Sequence, residues 1–217
     1  MRTFLLILLV ALPIRAAEVR VSAAASLTDA VTEIATLYEK KSGDTVVLNF
    51  GASSTLATQI LNGAPVDLFI SADEAQMNRV PVIVRVPLLS NRLAIVGMAL
   101  LLSPRIAIAN PEGVPAGVYA KQWLQKRGLW ELVKSRLIPC ENVRAALAAV
   151  RAGNADTAIV YITDYPQGVV IPDSPPIVYP AAVLRGAENA KGARRFLDFL
   201  RSRDAGAIFR RYGFLTK

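Results

Sequence analysis

Two serine hydroxyls in this 217-residue chain each lie where a strand-forming run gives way to a helix-forming one. Ser26 ends the run VRVSAAAS, and Ser53 follows the run VVLNFGA in the same way. The first turn of a helix leaves backbone N–H groups unpaired and carries the positive end of the helix dipole. A hydroxyl beside such a turn can help to bind an anion without any charged side chain. The simpler interpretation, that Ser26 only caps the helix, stays open at this point because serine is among the commonest N-caps.

Absent residue types narrow the possible chemistry. The chain contains no histidine, which excludes serine–histidine and cysteine–histidine catalysis and every histidine-bearing metal site. Cys140 is the only cysteine, so no intramolecular disulfide can form, and we expect a small buried residue rather than a reactive thiol. An enzyme with Ser26 or Ser53 as its nucleophile, supported by Asp73 or Lys121, is the weaker alternative to a binding protein. We therefore do not expect an enzyme.

The elements that position these hydroxyls follow one repeated pattern. Each of three apolar strands is followed by small or hydroxyl residues and then by a helix, and the third strand, DLFISA at residues 67–72, is closed by Asp73. Strands that alternate with helices favour a parallel sheet, in which ligands bind beyond the carboxyl ends of the strands. Ser26, Ser53 and Asp73 all fall at those ends. We expect Asp73 to cap the following helix rather than to touch an anion that it would repel.

The second half of the chain shows the same pattern. Strands are predicted at residues 93–96, 105–109 and 157–161, and helices at residues 118–127 and 143–153. Asn142 or Glu141 is expected to cap the second of these helices. Residues 179–184 are predicted to form a strand that connects two lobes, and residues 187–213 have a helical period. We infer an α/β fold whose lobes have interleaved connections.

The first sixteen residues are predicted to form a secretory signal peptide. Arg2 precedes an apolar run, residues 4–12, that is too short to span a bilayer, and Ala16 and Ala17 follow it. Cleavage would lower the formal net charge from +8 to +6, because it removes Arg2 and Arg15 and no acid. The basic residues near the C-terminus alternate with apolar ones at helical spacing, which indicates a solvated helix face. We expect an exported, periplasmic protein without a nucleic-acid partner.

Short motifs, in order over nearly the whole mature chain, resemble the periplasmic molybdate-binding proteins of ABC transporters. The motifs are AAASL at residues 23–27, ASSTL at 52–56, DLFISAD at 67–73, NPE at 110–112, PAG at 115–117, IVY at 159–161 and the ending at 209–214. The resemblance implies a two-lobed class II periplasmic binding protein, or venus flytrap, in which each lobe is a mainly parallel sheet flanked by helices. We expect lobe I to comprise residues 17–92 and 180–217, and lobe II residues 93–179.

The same resemblance implies a ligand and the residues that hold it. The ligand is molybdate or tungstate, with another tetrahedral oxyanion such as sulfate as the alternative. The family's two ligand serines fall on Ser26 and Ser53, its two backbone N–H donors fall on Ala116 and Val143, and its phenolic donor falls on Tyr161. These five residues would contact the oxygens around the metal, and no catalytic residue or further cofactor is implied. We expect a monomer that delivers its ligand to an ABC transporter permease.

Two features depart from the family pattern. The segment between Asp73 and Asn110 is shorter than is usual, yet it must hold a helix, the crossing strand and the first strand of lobe II. Cys140 stands just before Val143 in what we expect to be a loop, where the nearby helix start could activate its thiol.

Overall fold

The computed structural model describes residues 18–216, which form two β-sheets flanked by α-helices. The predicted signal peptide, residues 1–16, lies outside the described residues. The strands are β1 (Glu18–Ala24), β2 (Thr45–Gly51), β3 (Leu68–Ile70), β4 (Val82–Asn91), β5 (Leu93–Gly97), β6 (Ile106–Ala109), β7 (Leu137–Cys140), β8 (Thr157–Tyr161), β9 (Val169–Val170), β10 (Ile177–Leu184) and β11 (Leu215–Thr216). The α-helices are α1 (Thr28–Ser42), α2 (Ser53–Leu61), α3 (Glu74–Met77), α4 (Pro115–Lys126), α5 (Trp130–Val133), α6 (Val143–Arg151), α7 (Ala190–Leu200) and α8 (Arg203–Arg211). Short 3₁₀ helices cover Ala25–Leu27, Leu100–Leu102 and Lys134–Arg136.

The first sheet has six strands in the order β11-β4-β10-β3-β1-β2. Strands β1, β2 and β3 run parallel to one another, as the repeated pattern predicts. Strand β10 pairs antiparallel with β3 and with β4, and β11 pairs antiparallel with β4. The parallel half of this sheet therefore supplies the strand ends that precede Ser26, Ser53 and Asp73.

The second sheet has five strands in the order β7-β6-β8-β5-β9. Its parallel half consists of β7, β6 and β8, while β5 and β9 run antiparallel to their neighbours. The sheets are thus mixed rather than mainly parallel. The physical reason is the crossing between them: β4 ends at Asn91 and β5 begins at Leu93 in the other sheet, and the chain returns through β10. Strand β10 in the first sheet and strand β5 in the second run opposite to the parallel half of their sheet, whereas β4 pairs antiparallel with β10 and so runs in the same direction as β1, β2 and β3.

Strands β6 and β8 form the buried centre of the second sheet. Every residue of IAIA in β6 and of TAIVY in β8 is buried, which is typical of parallel strands covered on both faces. The first turn of α4 packs closely against the end of β6. A Cβ atom on Gly117 would lie 2.0 Å from the Ala109 carbonyl oxygen, so only glycine permits this approach. The contact fixes the position of the neighbouring Ala116 backbone.

The helical period predicted for residues 187–213 is confirmed as two helices, α7 and α8, because the chain turns at Arg201 and the Ser202 hydroxyl caps α8 by accepting a hydrogen bond from the Ala205 N–H. One local prediction is wrong. Cys140 lies at the end of β7, paired parallel with β6, and not in a loop. The shortened segment after Asp73 does hold the expected helix and strands, which are α3, β4 and β5.

No helix within residues 18–216 combines the length and the apolar character that a membrane crossing requires.

Candidate functional site

A small cavity between the two sheets is lined by all five predicted site residues. Ser26 and Ser53 reach it from the first sheet, and Ala116, Val143 and Tyr161 reach it from the second. Its volume is about 20 Å³, which exceeds the roughly 10–15 Å³ that one water molecule needs. Residues that are far apart in sequence therefore share one space suited to a single small ligand.

Ser26 does not cap a helix. It lies within the 3₁₀ turn between β1 and α1, and neither that turn nor α1 receives a side-chain cap. The hydroxyl is buried, and its Oγ lies 3.0 Å from the hydroxyl oxygen of Tyr179. The capping interpretation of Ser26 is therefore wrong, and its hydroxyl remains available to the cavity.

Ser53 is held by a backbone group from the neighbouring strand end. Its Oγ accepts a hydrogen bond of 2.9 Å from the Ala72 N–H, just beyond β3. Because this contact uses an acceptor position of the hydroxyl, the hydroxyl hydrogen is free to point elsewhere. Ser53 is the first residue of α2, which has no side-chain cap, so the bond to Ala72 is what fixes the side chain.

Tyr161 brings an unsatisfied hydroxyl to the cavity from the end of β8. The residue is 1% exposed, and within the part of the chain that the structure describes its Oη has no hydrogen-bond partner. Burial raises the pKa of the Tyr161 phenol well above its ordinary value, so the group stays neutral and keeps its hydrogen. An unpaired buried hydroxyl costs about 1–3 kcal/mol. A ligand that accepts a hydrogen bond would remove that cost.

Two helix starts bring backbone donors to the same place. Ala116 is the second residue of α4, a helix without a side-chain cap, and Val143 is the first residue of α6. N–H groups in a first turn have no partner within their helix. Asn142 caps α6, but its Oδ1 accepts from the Ala145 N–H at 3.0 Å and so does not occupy the N–H of Val143. Both helix starts add the positive end of a dipole to the cavity.

Most of the helices near the cavity lack a side-chain cap. Of the six helices of nine or more residues in the described chain, α2 and α4 begin at the cavity without a side-chain cap, and α1, just after the cavity-lining Ser26, also lacks one, whereas α6 begins at the cavity and is capped by Asn142. Helices α7 and α8 begin away from it and are capped by Asn189 and Ser202. The uncapped helix starts are thus concentrated where an anion would take the place of a cap.

The charged groups that catalysis by Ser26 or Ser53 would need, Asp73 and Lys121, are engaged in other contacts. Asp73 caps α3 as expected, its Oδ1 accepting from the Gln76 N–H at 2.8 Å, and Lys121 forms an ion pair with Glu112 at 2.7 Å. The Cys140 thiol is half-buried, and desolvation raises its pKa, which fits the expected structural role and not an activation by the nearby helix start. None of the described residues that line the cavity has a charged side chain.

Sequence reasoning missed two residues behind the cavity, Tyr179 and Asn91. Tyr179 lies in β10 and bonds to Ser26, and Asn91 at the end of β4 donates to the Tyr179 hydroxyl at 3.1 Å. The available signal was a tyrosine inside the apolar strand IVYPAAVL, since a buried tyrosine hydroxyl usually finds a partner. Nothing local in the sequence says that this partner is Ser26.

Comparison with known proteins gives consistent matches over the described chain. Residues 19–215 match the family model described as bacterial extracellular solute-binding protein. The chain is 40% identical over 231 aligned residues to the molybdate-binding protein ModA of Escherichia coli (strain K12), covering 92% of this chain and 90% of that protein. It is 36% identical to ModA of Haemophilus influenzae, covering 93% of this chain and 91% of that protein. The periplasmic molybdate-binding protein of Azotobacter vinelandii has the same fold, with a TM-score of 0.86 at 23% identity, covering 92% of this chain and 99% of that chain.

Proposed function

This chain belongs to the bacterial extracellular solute-binding proteins and, within them, to the ModA family, and we propose that it captures molybdate between its two lobes for delivery to an ABC transporter permease. The lobes are residues 17–92 with 180–217, and residues 93–179. The ligand contacts are Ser26, Ser53, Tyr161 and the backbone N–H groups of Ala116 and Val143.

The unpaired hydroxyl of Tyr161 is the observation that carries the proposal. A phenol that is 1% exposed, neutral and without a partner among residues 18–216 is costly unless a ligand accepts its hydrogen. Tyr161 lines a cavity that two serines and two helix starts also line. All of these groups can donate a hydrogen bond, so a ligand that pairs with all of them must accept hydrogen bonds from every direction. A fully deprotonated tetrahedral oxyanion has acceptor oxygens in all directions and no proton to donate.

Neutral donors are sufficient to hold a dianion. A hydrogen bond to a charged acceptor contributes roughly 1.5–3 kcal/mol, and micromolar binding corresponds to about 8 kcal/mol. Five such bonds therefore support submicromolar affinity after the cost of immobilising the ion. A buried lysine or arginine would add its own desolvation cost, and it could hold the ion too tightly for release to a permease.

The donor-only character also gives selectivity. Hydrogen phosphate carries a proton that needs an acceptor, and the Ala72 N–H already fills one of the two acceptor positions of the Ser53 oxygen. Burying that proton without a partner would cost affinity. Tungstate has the charge and shape of molybdate, so we propose it as a second ligand of the same site.

The cellular setting completes the proposal. Export by the signal peptide, residues 1–16, would place a monomer in the periplasm, where it meets the membrane permease and no nucleic acid.

Asp73 and Lys121 are engaged in the cap and the ion pair described above, which leaves neither serine with a general base. We propose that the protein binds its ligand without catalysing a reaction.

Isothermal titration calorimetry of the purified protein tests the function. We expect one molybdate or tungstate per chain with submicromolar affinity, and no binding of phosphate at the same concentrations. Tight binding of sulfate with no heat from molybdate would overturn the proposal.

A further inference from the structure

The Tyr179 hydroxyl contacts the Ser26 hydroxyl, although Tyr179 itself does not line the cavity. Tyr179 is fully buried in β10, and its Oη is 3.0 Å from Ser26 Oγ. Either oxygen could be the donor in this contact when it is considered alone. The direction matters, because it decides whether Ser26 presents a hydrogen or a lone pair to the ligand.

Asn91 decides the direction of that bond. Its side-chain Oδ1 accepts from the Arg92 N–H at 2.8 Å, which fixes the orientation of the amide. The Nδ2 group then donates to Thr163 Oγ1 at 2.9 Å and to Tyr179 Oη at 3.1 Å. Tyr179 thus already accepts one hydrogen bond, and its own hydrogen has Ser26 Oγ as an acceptor. The opposite direction would leave the phenolic hydrogen buried without an acceptor, at a cost that native structures avoid.

We propose that Tyr179 is a positioning residue, which donates to Ser26 and thereby commits the Ser26 hydroxyl to donate its hydrogen to the bound oxyanion. This inference rests on the proposed function. The donor chain runs from Asn91 through Tyr179 and Ser26 to the ligand, and each bond in it strengthens the next by polarisation. Burial raises the pKa of Tyr179, so the phenol keeps the hydrogen that the chain requires.

The arrangement also makes Tyr179 a specificity residue. While Tyr179 donates to Ser26, one of the two acceptor positions of the Ser26 oxygen is filled, so the hydroxyl has less capacity to accept the proton of a protonated oxyanion. Removal of the Tyr179 hydroxyl frees Ser26 to rotate and to accept a hydrogen bond. Discrimination against hydrogen phosphate should then fall along with molybdate affinity.

The substitution Tyr179→Phe removes the hydroxyl and keeps the ring. The ring packs against Tyr161 with centroids 5.9 Å apart and against Phe214 at 5.7 Å, and phenylalanine preserves both contacts. We expect Tyr179→Phe to weaken molybdate binding roughly tenfold, from the loss of one oriented hydrogen bond. The control is Tyr38→Phe, which removes a phenolic bond of 2.7 Å to Asp44 away from the cavity and should leave the affinity unchanged.

A double-mutant cycle by calorimetry, with molybdate and phosphate as the titrants, tests whether Tyr179 acts through Ser26. In a Ser26→Ala background, Tyr179→Phe should cause no further loss of molybdate affinity, because the group that it orients is gone. If the losses of molybdate affinity in Ser26→Ala and in Tyr179→Phe multiply in the double variant, Tyr179 does not act through Ser26 and the positioning role is overturned. An unchanged preference for molybdate over phosphate in Tyr179→Phe would also overturn it. Failure of the unaltered protein to bind molybdate would overturn the proposed function itself, and the inference with it.

Discussion

The guanidinium of Arg144, on helix α6 beside the second sheet, contacts Asp29 on helix α1 beside the first sheet. Arg144 Nη2 lies 2.7 Å from Asp29 Oδ2. Arg144 lies in the first turn of α6 and Asp29 in the first turn of α1, so the contact stands beside the cavity. On its other side the guanidinium Nε is 2.7 Å from the buried carboxylate of Asp164. The ion pair therefore ties the two lobes together where the ligand would sit.

Breaking this pair should speed ligand release. Asp29→Asn removes the attraction across the cleft and leaves Arg144 paired with Asp164, so the fold should lose about 1 kcal/mol or less. We expect the molybdate off-rate to rise about two- to fivefold, measured by stopped-flow tryptophan fluorescence. Glu33→Gln is the matched control, because Glu33 lies on the same helix but pairs with Arg211. Equal off-rates in the two variants would contradict the interlobe role.

Removal of the Ser53 hydroxyl should weaken binding through the loss of one donor. A hydrogen bond to a charged acceptor contributes roughly 1.5–3 kcal/mol, so the dissociation constant for molybdate should rise at least tenfold in Ser53→Ala. The adjacent Ser54→Ala is the control, because Ser54 does not line the cavity. Calorimetry of the two variants measures the difference, and equal affinities would remove Ser53 from the site.

The backbone donor at Val143 can be tested with proline. Val143 is the first residue of α6, where proline is tolerated, and the extended backbone of Asn142 suits a residue before proline. Val143→Pro deletes the N–H and should weaken molybdate binding about tenfold while the protein stays folded by circular dichroism. Arg203→Pro makes the same change at the first residue of α8, away from the cavity, and should bind normally. Wild-type affinity in Val143→Pro would show that this N–H is not a ligand contact.

Binding should be insensitive to pH over the neutral and mildly alkaline range. The raised pKa of Tyr161 keeps the phenol protonated, and the pKa of the nearby Asp164, raised by burial to about 6, leaves that carboxylate ionised above about pH 7. Calorimetry should therefore give the same affinity from about pH 7 to about pH 9. A tenfold fall in affinity across that range would mean that a titrating group holds the ligand.

The free energy of unfolding should fall above about pH 10, because three buried tyrosines keep their protons in the folded state. Burial raises the folded-state pKa of Tyr119, Tyr161 and Tyr179 above the unfolded value of about 10. Above that pH the unfolded chain has lost protons that the folded chain still holds, so the free energy of unfolding decreases as the pH rises. Urea unfolding at several pH values measures this decline, and Tyr161→Phe should make it shallower. An equally steep decline in that variant would show that Tyr161 does not contribute.

Local patterns predicted the first half of the molecule well. The strand-forming runs before Ser26 and Ser53 are β1 and β2, and each is followed by a helix, α1 or α2, as the repeated pattern predicts. The strand ends of a parallel sheet also placed Ser26 and Ser53 at one edge. These features depend on nearby residues, which is why the sequence alone was enough.

The convergence of the five site residues depends on contacts between distant segments. No local pattern brings Tyr161 opposite Ser26, and that expectation came from family resemblance. The direction of the Ser26–Tyr179 bond was beyond sequence reasoning because it depends on the orientation of the Asn91 amide, in a strand that crosses to the other lobe. The run LIPC of β7 is too short, and contains a proline, to indicate a strand, which is why the sequence predicts a loop at Cys140.

The most direct test of the site is a crystal of the protein grown with molybdate and measured at the molybdenum absorption edge. We expect one anomalous peak in the cavity, with oxygens at about 2.7–3.2 Å from the Ser26, Ser53 and Tyr161 hydroxyls and from the Ala116 and Val143 nitrogens. A molybdenum peak elsewhere, or one that leaves the Tyr161 hydroxyl without an oxygen neighbour, would contradict the site.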